Sequence, residues 1–192
     1  MLGTRALTGD QLTPEDVWAV AVDGVAVELA GEGRDRIRRA REVVERALEE
    51  RSEHTYGINT GFGRFVSRSI PPELAGELQL RLLRSHACGV GEPYPTEVVR
   101  AAMLLRANAL AKGCSGARPA TVELLVQCLR RGVVPHVPSR GSVGASGDLA
   151  PFTLEPCLAL ADERQREVGE RREVAAGADR ATARHVRYDA AP

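Results

Sequence analysis

Eight consecutive residues, Gly141-Ser142-Val143-Gly144-Ala145-Ser146-Gly147-Asp148, concentrate three glycines, two serines and a carboxylate. Four physical readings fit such a segment. Glycines let backbone N–H groups converge on an anion, as in a phosphate cradle. The spacing matches neither G-x-x-x-x-G-K-[ST] nor G-x-G-x-x-G, and no lysine follows. A nucleophile elbow on Ser146 would need glycine where Asp148 stands. A plain glycine turn is the third reading, and the commonest use of such a composition. The fourth is an internal cyclisation in which the Gly147 nitrogen attacks the Ala145 carbonyl and closes a five-membered ring. Loss of water from that ring and from Ser146 then leaves an alkene conjugated with an imidazolone. Each residue type has a reason in this reading. Gly147 offers the least hindered amide nitrogen, Ala145 crowds the ring little, Ser146 supplies the departing hydroxyl, and Asp148 can move protons.

A second stretch, Thr55-Tyr56-Gly57-Ile58-Asn59-Thr60-Gly61-Phe62-Gly63, mixes glycine, hydroxyls and aromatics without helical period. Tyr56 is the group there that could exchange a proton. A phenol becomes a useful base when a neighbouring donor or positive dipole favours its anion, and taken alone a tyrosine in such a loop is more often a packed aromatic. Ser85-His86 is a third candidate, a hydroxyl and an imidazole at the end of a helical pattern, where histidines are commonly structural.

The elements that must position these groups are read from period and punctuation. Thr13-Pro14-Glu15-Asp16 is a helix start, with Thr13 as cap and Pro14 at the first helical position. Val17, Trp18, Val20 and Ala21 follow until Asp23-Gly24 stops the helix. Val25 to Leu29 alternates like a short strand, and Arg34 to Arg51 carries Ile37, Ala40, Val43, Val44, Ala47 and Leu48 at helical spacing. Pro71-Pro72 opens a helix with Leu74, Leu78, Leu82 and Leu83 expected inward, running to Ser85-His86. Thr96 is the expected cap of the next helix, with Val98, Val99, Ala102, Met103 and Leu105 inward. A further helix runs from Pro119 to Arg131 and ends at Gly132. Val133 to Pro138 is extended, because prolines bias their predecessors away from helix. From Ala161 onward Arg, Glu, Asp and Ala dominate, a composition that cannot build a core of its own. The expected organisation is therefore residues 1–151 as one domain and 152–192 as a divergent charged tail.

Aromatics are 4% of the 192 residues, which favours helices packed through Leu, Val and Ala, a mainly α fold with a few short strands around the loops. The 26 basic and 26 acidic side chains cancel, so no electrostatic footprint points to nucleic acid or an anionic membrane. Cys88, Cys114, Cys128 and Cys157 lie far apart, without metal-ligand spacing, and read as reduced, helix-borne thiols in a cytoplasmic protein. No signal peptide or membrane span is read in the chain.

Gly141 to Pro151, Gly-Ser-Val-Gly-Ala-Ser-Gly-Asp-Leu-Ala-Pro, resembles the prosthetic-group segment of the aromatic amino acid ammonia-lyases, and Thr55 to Gly63 resembles that family's catalytic tyrosine loop. The resemblance runs from about Leu12 to Pro151. It implies the family's N-terminal domain, with the long C-terminal helical bundle missing. It further implies 4-methylidene-imidazol-5-one (MIO) formed autocatalytically from Ala145, Ser146 and Gly147 with help from Asp148, and no metal. Tyr56 would remove the substrate β-proton while the electrophile takes either the substrate amine or its aromatic ring. Ser85-His86-Ala87-Cys88-Gly89 and the Ile58-Asn59 pair resemble histidine-specific members, which implies Ser85, His86 and Asn59 as substrate contacts. The implied reaction is elimination of ammonia from L-histidine to give urocanate, in a homotetramer. A phenylalanine or tyrosine lyase, a non-catalytic remnant or interaction module, and an acyl hydrolase using Ser146 are the competing readings.

Overall fold

The computed structural model describes residues 3–50, 55–86 and 89–141. Helices dominate, as the aliphatic composition leads one to expect. The Thr13 hydroxyl accepts from the Asp16 N–H at 3.2 Å, and the Asp16 carboxylate accepts from the Thr13 N–H at 3.1 Å. This reciprocal box satisfies two helix-end donors and starts α1, Pro14–Ala21. The helix is the crossover between two parallel strands, β1 (Arg5–Leu7) and β2 (Val27–Leu29), paired Leu7 to Leu29. Alternation in β2 buries Val27 and Leu29 and exposes Glu28.

α2, Gly31–Glu49, follows directly and buries Ile37. Its Arg36 reaches across to the carbonyls of Ala111, at 3.2 Å, and Thr8. α3 spans Pro72–His86, and α4 (Thr96–Ala111) and α5 (Pro119–Arg130) complete the α-helices among the described residues. The core lies where α1, α4, α5 and the β1–β2 pair meet, with Met103, Leu104, Val122 and Leu125 at 0–1% exposure. α4 ends because Gly113 takes a left-handed φ of +73°, where an added Cβ would stand 2.7 Å from the Arg36 backbone. Arg100 ties three elements together. Its guanidinium donates to Val20 and Ala21 carbonyls at 2.8 and 3.2 Å and to the Leu129 carbonyl at 3.2 Å, satisfying the last turns of α1 and α5.

Several expectations need correction. Thr96 is not a cap: it is the first helical residue, and Pro95 occupies the cap position without a side-chain bond. The α4 stripe is Val99, Met103, Leu104, Ala107, Leu110 and Ala111, whereas Val98 and Leu105 are exposed. At about 100° per residue, Val98 and Leu105 fall on the side of the helix opposite that stripe. Leu74 is exposed rather than inward, and Val43 and Trp18 are exposed as well. Cys128 is helix-borne, but Cys114 lies in the α4–α5 connection. No helix among the described residues is long and apolar enough to cross a membrane.

Candidate active site

The Tyr56 loop is built from its own polar groups. The Thr55 carbonyl accepts the Ile58 and Asn59 N–H groups at 3.1 and 3.2 Å, forming a tight turn over Tyr56-Gly57. Gly57 stands at φ +75°, a conformation costly for any residue with a Cβ. The chain then doubles back. Thr60 bridges antiparallel to Ser69, Gly61 N–H donates to the Arg68 carbonyl at 3.0 Å, and Ile70 N–H donates to the Asn59 carbonyl at 2.8 Å. The expected loop is thus a closed hairpin whose tip holds a short 3-10 turn, Gly63–Phe65.

Tyr56 projects from this hairpin with 57% of its surface exposed. Its ring meets Phe62 edge-on, with centroids 5.9 Å apart and planes at 80°. The Gly63 N–H donates to its phenolic oxygen at 3.3 Å. A backbone donor there faces the atom that must carry negative charge when the phenol gives up its proton. The donor is fixed by the 3-10 turn and needs no reorganisation.

α3 runs beside the hairpin. The Gln79 amide donates to the Gly57 carbonyl at 3.3 Å. Farther along the helix, Ser85 is exposed and its hydroxyl donates to the Leu82 carbonyl at 2.7 Å. An open cleft of about 420 Å³ joins the two elements, lined by Gly61, Phe62, Phe65, Leu78, Leu82 and Ser85 among others. The structure therefore brings Ser85 to the cleft that the Tyr56 hairpin also lines. His86 is the last residue of α3, and its side chain lies outside the described residues. Asn59 is buried, and its side-chain oxygen accepts the Thr55 N–H at 2.7 Å.

The chain leaves α3 and forms β3, Val90–Pro93, which pairs antiparallel with β4, Pro138–Arg140. Val90 opposite Arg140 sets the exit of α3 against the approach to the glycine-rich segment. Ala145, Ser146, Gly147 and Asp148 themselves lie outside the described residues. Among the described residues no set of three His, Cys, Asp or Glu side chains is grouped as for a metal ion. Sequence reasoning did not single out Thr60, Phe62 or Gln79 as site-shaping residues. The available signal was a hydroxyl three residues after a glycine, the spacing of side-chain-to-backbone turns.

Comparison with known proteins adds to this geometry. The aromatic amino acid lyase family model matches residues 12–190, a match that continues past Pro151. A histidine ammonia-lyase of Gloeobacter violaceus is 53% identical over 163 residues, covering 85% of this chain and 31% of the relative. A histidine ammonia-lyase structure from Trypanosoma cruzi superposes with a TM-score of 0.66 at 41% identity, covering 73% of this chain and 27% of that one. A tyrosine aminomutase structure from Streptomyces globisporus gives 0.70 at 35% identity, covering 78% and 28%. The chain spans less than a third of the length of these proteins.

Proposed function

Because the chain belongs to the aromatic amino acid lyase family, we propose that it supplies the proton-abstracting part of a histidine ammonia-lyase, which converts L-histidine to urocanate and ammonia. The observation that carries this reading is the exposed Tyr56 phenol held by the Gly63 N–H, its ring against Phe62, which lines a cleft that reaches Ser85. Identity of 53% to a histidine ammonia-lyase supports histidine as substrate.

Tyr56 takes the substrate β-proton, and the Gly63 N–H stabilises the oxygen beforehand. The end of α3 supplies polar partners for an imidazole through Ser85 and His86, where a purely apolar wall would leave ring nitrogens unpaired. Asn59 is proposed as a further substrate contact, and its side-chain oxygen also accepts the Thr55 N–H. Ala145, Ser146 and Gly147 carry the carbonyl, hydroxyl and amide nitrogen that MIO requires, and Asp148 a carboxylate to move protons during its formation. When formed, that group supplies an electron-poor alkene that makes ammonia a better leaving group. The proposed assembly is a cytoplasmic homotetramer, with residues 1–151 carrying the Tyr56 hairpin and the glycine-rich segment and the family match running on to residue 190.

In a second reading the chain belongs to the family without turning over an amino acid. Formation of urocanate, followed at its ultraviolet band with L-histidine, L-phenylalanine and L-tyrosine offered separately, decides between the two. Intact mass separates them further: loss of two waters, about 36 Da, marks a cyclised segment.

A further inference from the structure

Asn59, at 9% exposure, and Thr60, at 0%, are the buried polar side chains among the described residues. A polar group withdrawn from water destabilises the fold unless it is bonded, so where these two bond is informative. Both bond to backbone next to Tyr56. The Asn59 side-chain oxygen accepts from the Thr55 N–H, immediately before it, at 2.7 Å. The Thr60 hydroxyl accepts from the Gly57 N–H, immediately after it, at 3.2 Å, and donates to the Gly61 carbonyl at 3.0 Å. The two anchors are themselves fixed to the hairpin stem, Asn59 through the Ile70 N–H and Thr60 through its bridge to Ser69.

We propose that Asn59 and Thr60 are positioning residues for Tyr56, clamping the peptide groups on both sides of it so that the phenol meets the Gly63 donor. The proposal rests on Tyr56 being the base. The ring is more than half exposed and Phe62 touches it edge-on, so side-chain packing does little to orient it. Its direction is set by the backbone, and the backbone is set by the two side chains that follow. Valine at position 60 keeps the volume and removes the acceptor of the Gly57 N–H; serine keeps the acceptor.

The test uses the 192-residue chain with Thr60→Val, Thr60→Ser and Asn59→Ala. Amide exchange at Gly57 in Thr60→Val, and at Thr55 in Asn59→Ala, is expected to quicken about tenfold, as for loss of one hydrogen bond. The ring-to-ring nuclear Overhauser contact between Tyr56 and Phe62 should fade in both, and Thr60→Ser should keep wild-type behaviour. In protein that turns over, kcat falls about tenfold with KM little changed, and Thr60→Ser restores it. Wild-type exchange and an intact ring contact in Thr60→Val and Asn59→Ala would overturn the clamp. So would their loss only together with amide protection across α4 and α5, the mark of general destabilisation. A wild-type chain that yields no urocanate sinks the lyase reading instead, and the exchange and ring-contact results still judge the clamp.

Discussion

The α4–α5 region and the Tyr56 hairpin are held by opposite means. The first, with β1, β2 and α1, is closed by apolar side chains: Met103, Leu104, Val122 and Leu125 are essentially sealed from water. Between residues 38 and 98 no described apolar side chain is buried, and the buried positions there are Asn59, Thr60 and Gly61. The hairpin is shaped by hydrogen bonds of its own backbone and side chains, while Tyr56, Phe65, Val66 and Leu74 remain exposed. Apolar packing tolerates small displacements; directional bonds fix angles. The second strategy suits a region proposed to aim one phenol, and the first suits a region that holds the fold together.

The contrast predicts that stability and chemistry separate by region. Tyr56→Phe should lower β-proton exchange and turnover by about a hundred- to ten-thousandfold. The same substitution should leave urea stability within about 0.5 kcal/mol, as for an exposed side chain. Equal losses in both measurements would erase the contrast. Leu104→Ala should do the reverse in stability, costing about 2–5 kcal/mol in a denaturation midpoint through the cavity it leaves. Arg100→Met should cost about 2 kcal/mol, because carbonyls of two helix ends lose a charged donor together. Thermal unfolding of the single variant checks it, and an unchanged midpoint would show that the apolar contacts suffice alone.

The smallest effects belong to the edge of the core. Thr13→Ala should cost about 1 kcal/mol by removing the α1 cap. The Thr13 N–H, with lesser help from the Thr13 hydroxyl and the Arg5 guanidinium against some desolvation, holds the Asp16 carboxyl below its ordinary value of 3.8. Its folded titration point lies beneath the unfolded one. Its contribution is therefore present above the unfolded value and fades as pH falls through the folded one. Acid titration of helicity in Asp16→Asn should lack that component; an identical acid limb would remove Asp16 from the account.

Local rules made much of the scaffold legible. Thr13-Pro14 announced α1, Pro119 and Gly132 bounded α5, and the mixed composition of 55–63 identified an irregular segment. Long-range partners escaped. The Thr60–Ser69 bridge turns that segment into a hairpin, and no local pattern announces it. The α4 stripe was rotated because alanines at 107 and 111 count as core only once α1 and α5 close over them. The motif implies Asn59 as a substrate contact, and the structure adds that its buried side-chain oxygen accepts the Thr55 N–H. Its burial is a tertiary fact, invisible to spacing.

The pairing of Val90 with Arg140 joins positions fifty apart, 140 − 90, across the whole of α4 and α5. A nascent chain leaving the ribosome therefore carries β3 unpartnered until both helices have emerged, and closing so long a loop is slow compared with winding either helix. β4, the last strand among the described residues, completes the pair at the α3 exit. Closure of β3 on β4 therefore waits for α4 and α5, the two helices that carry much of the buried apolar core.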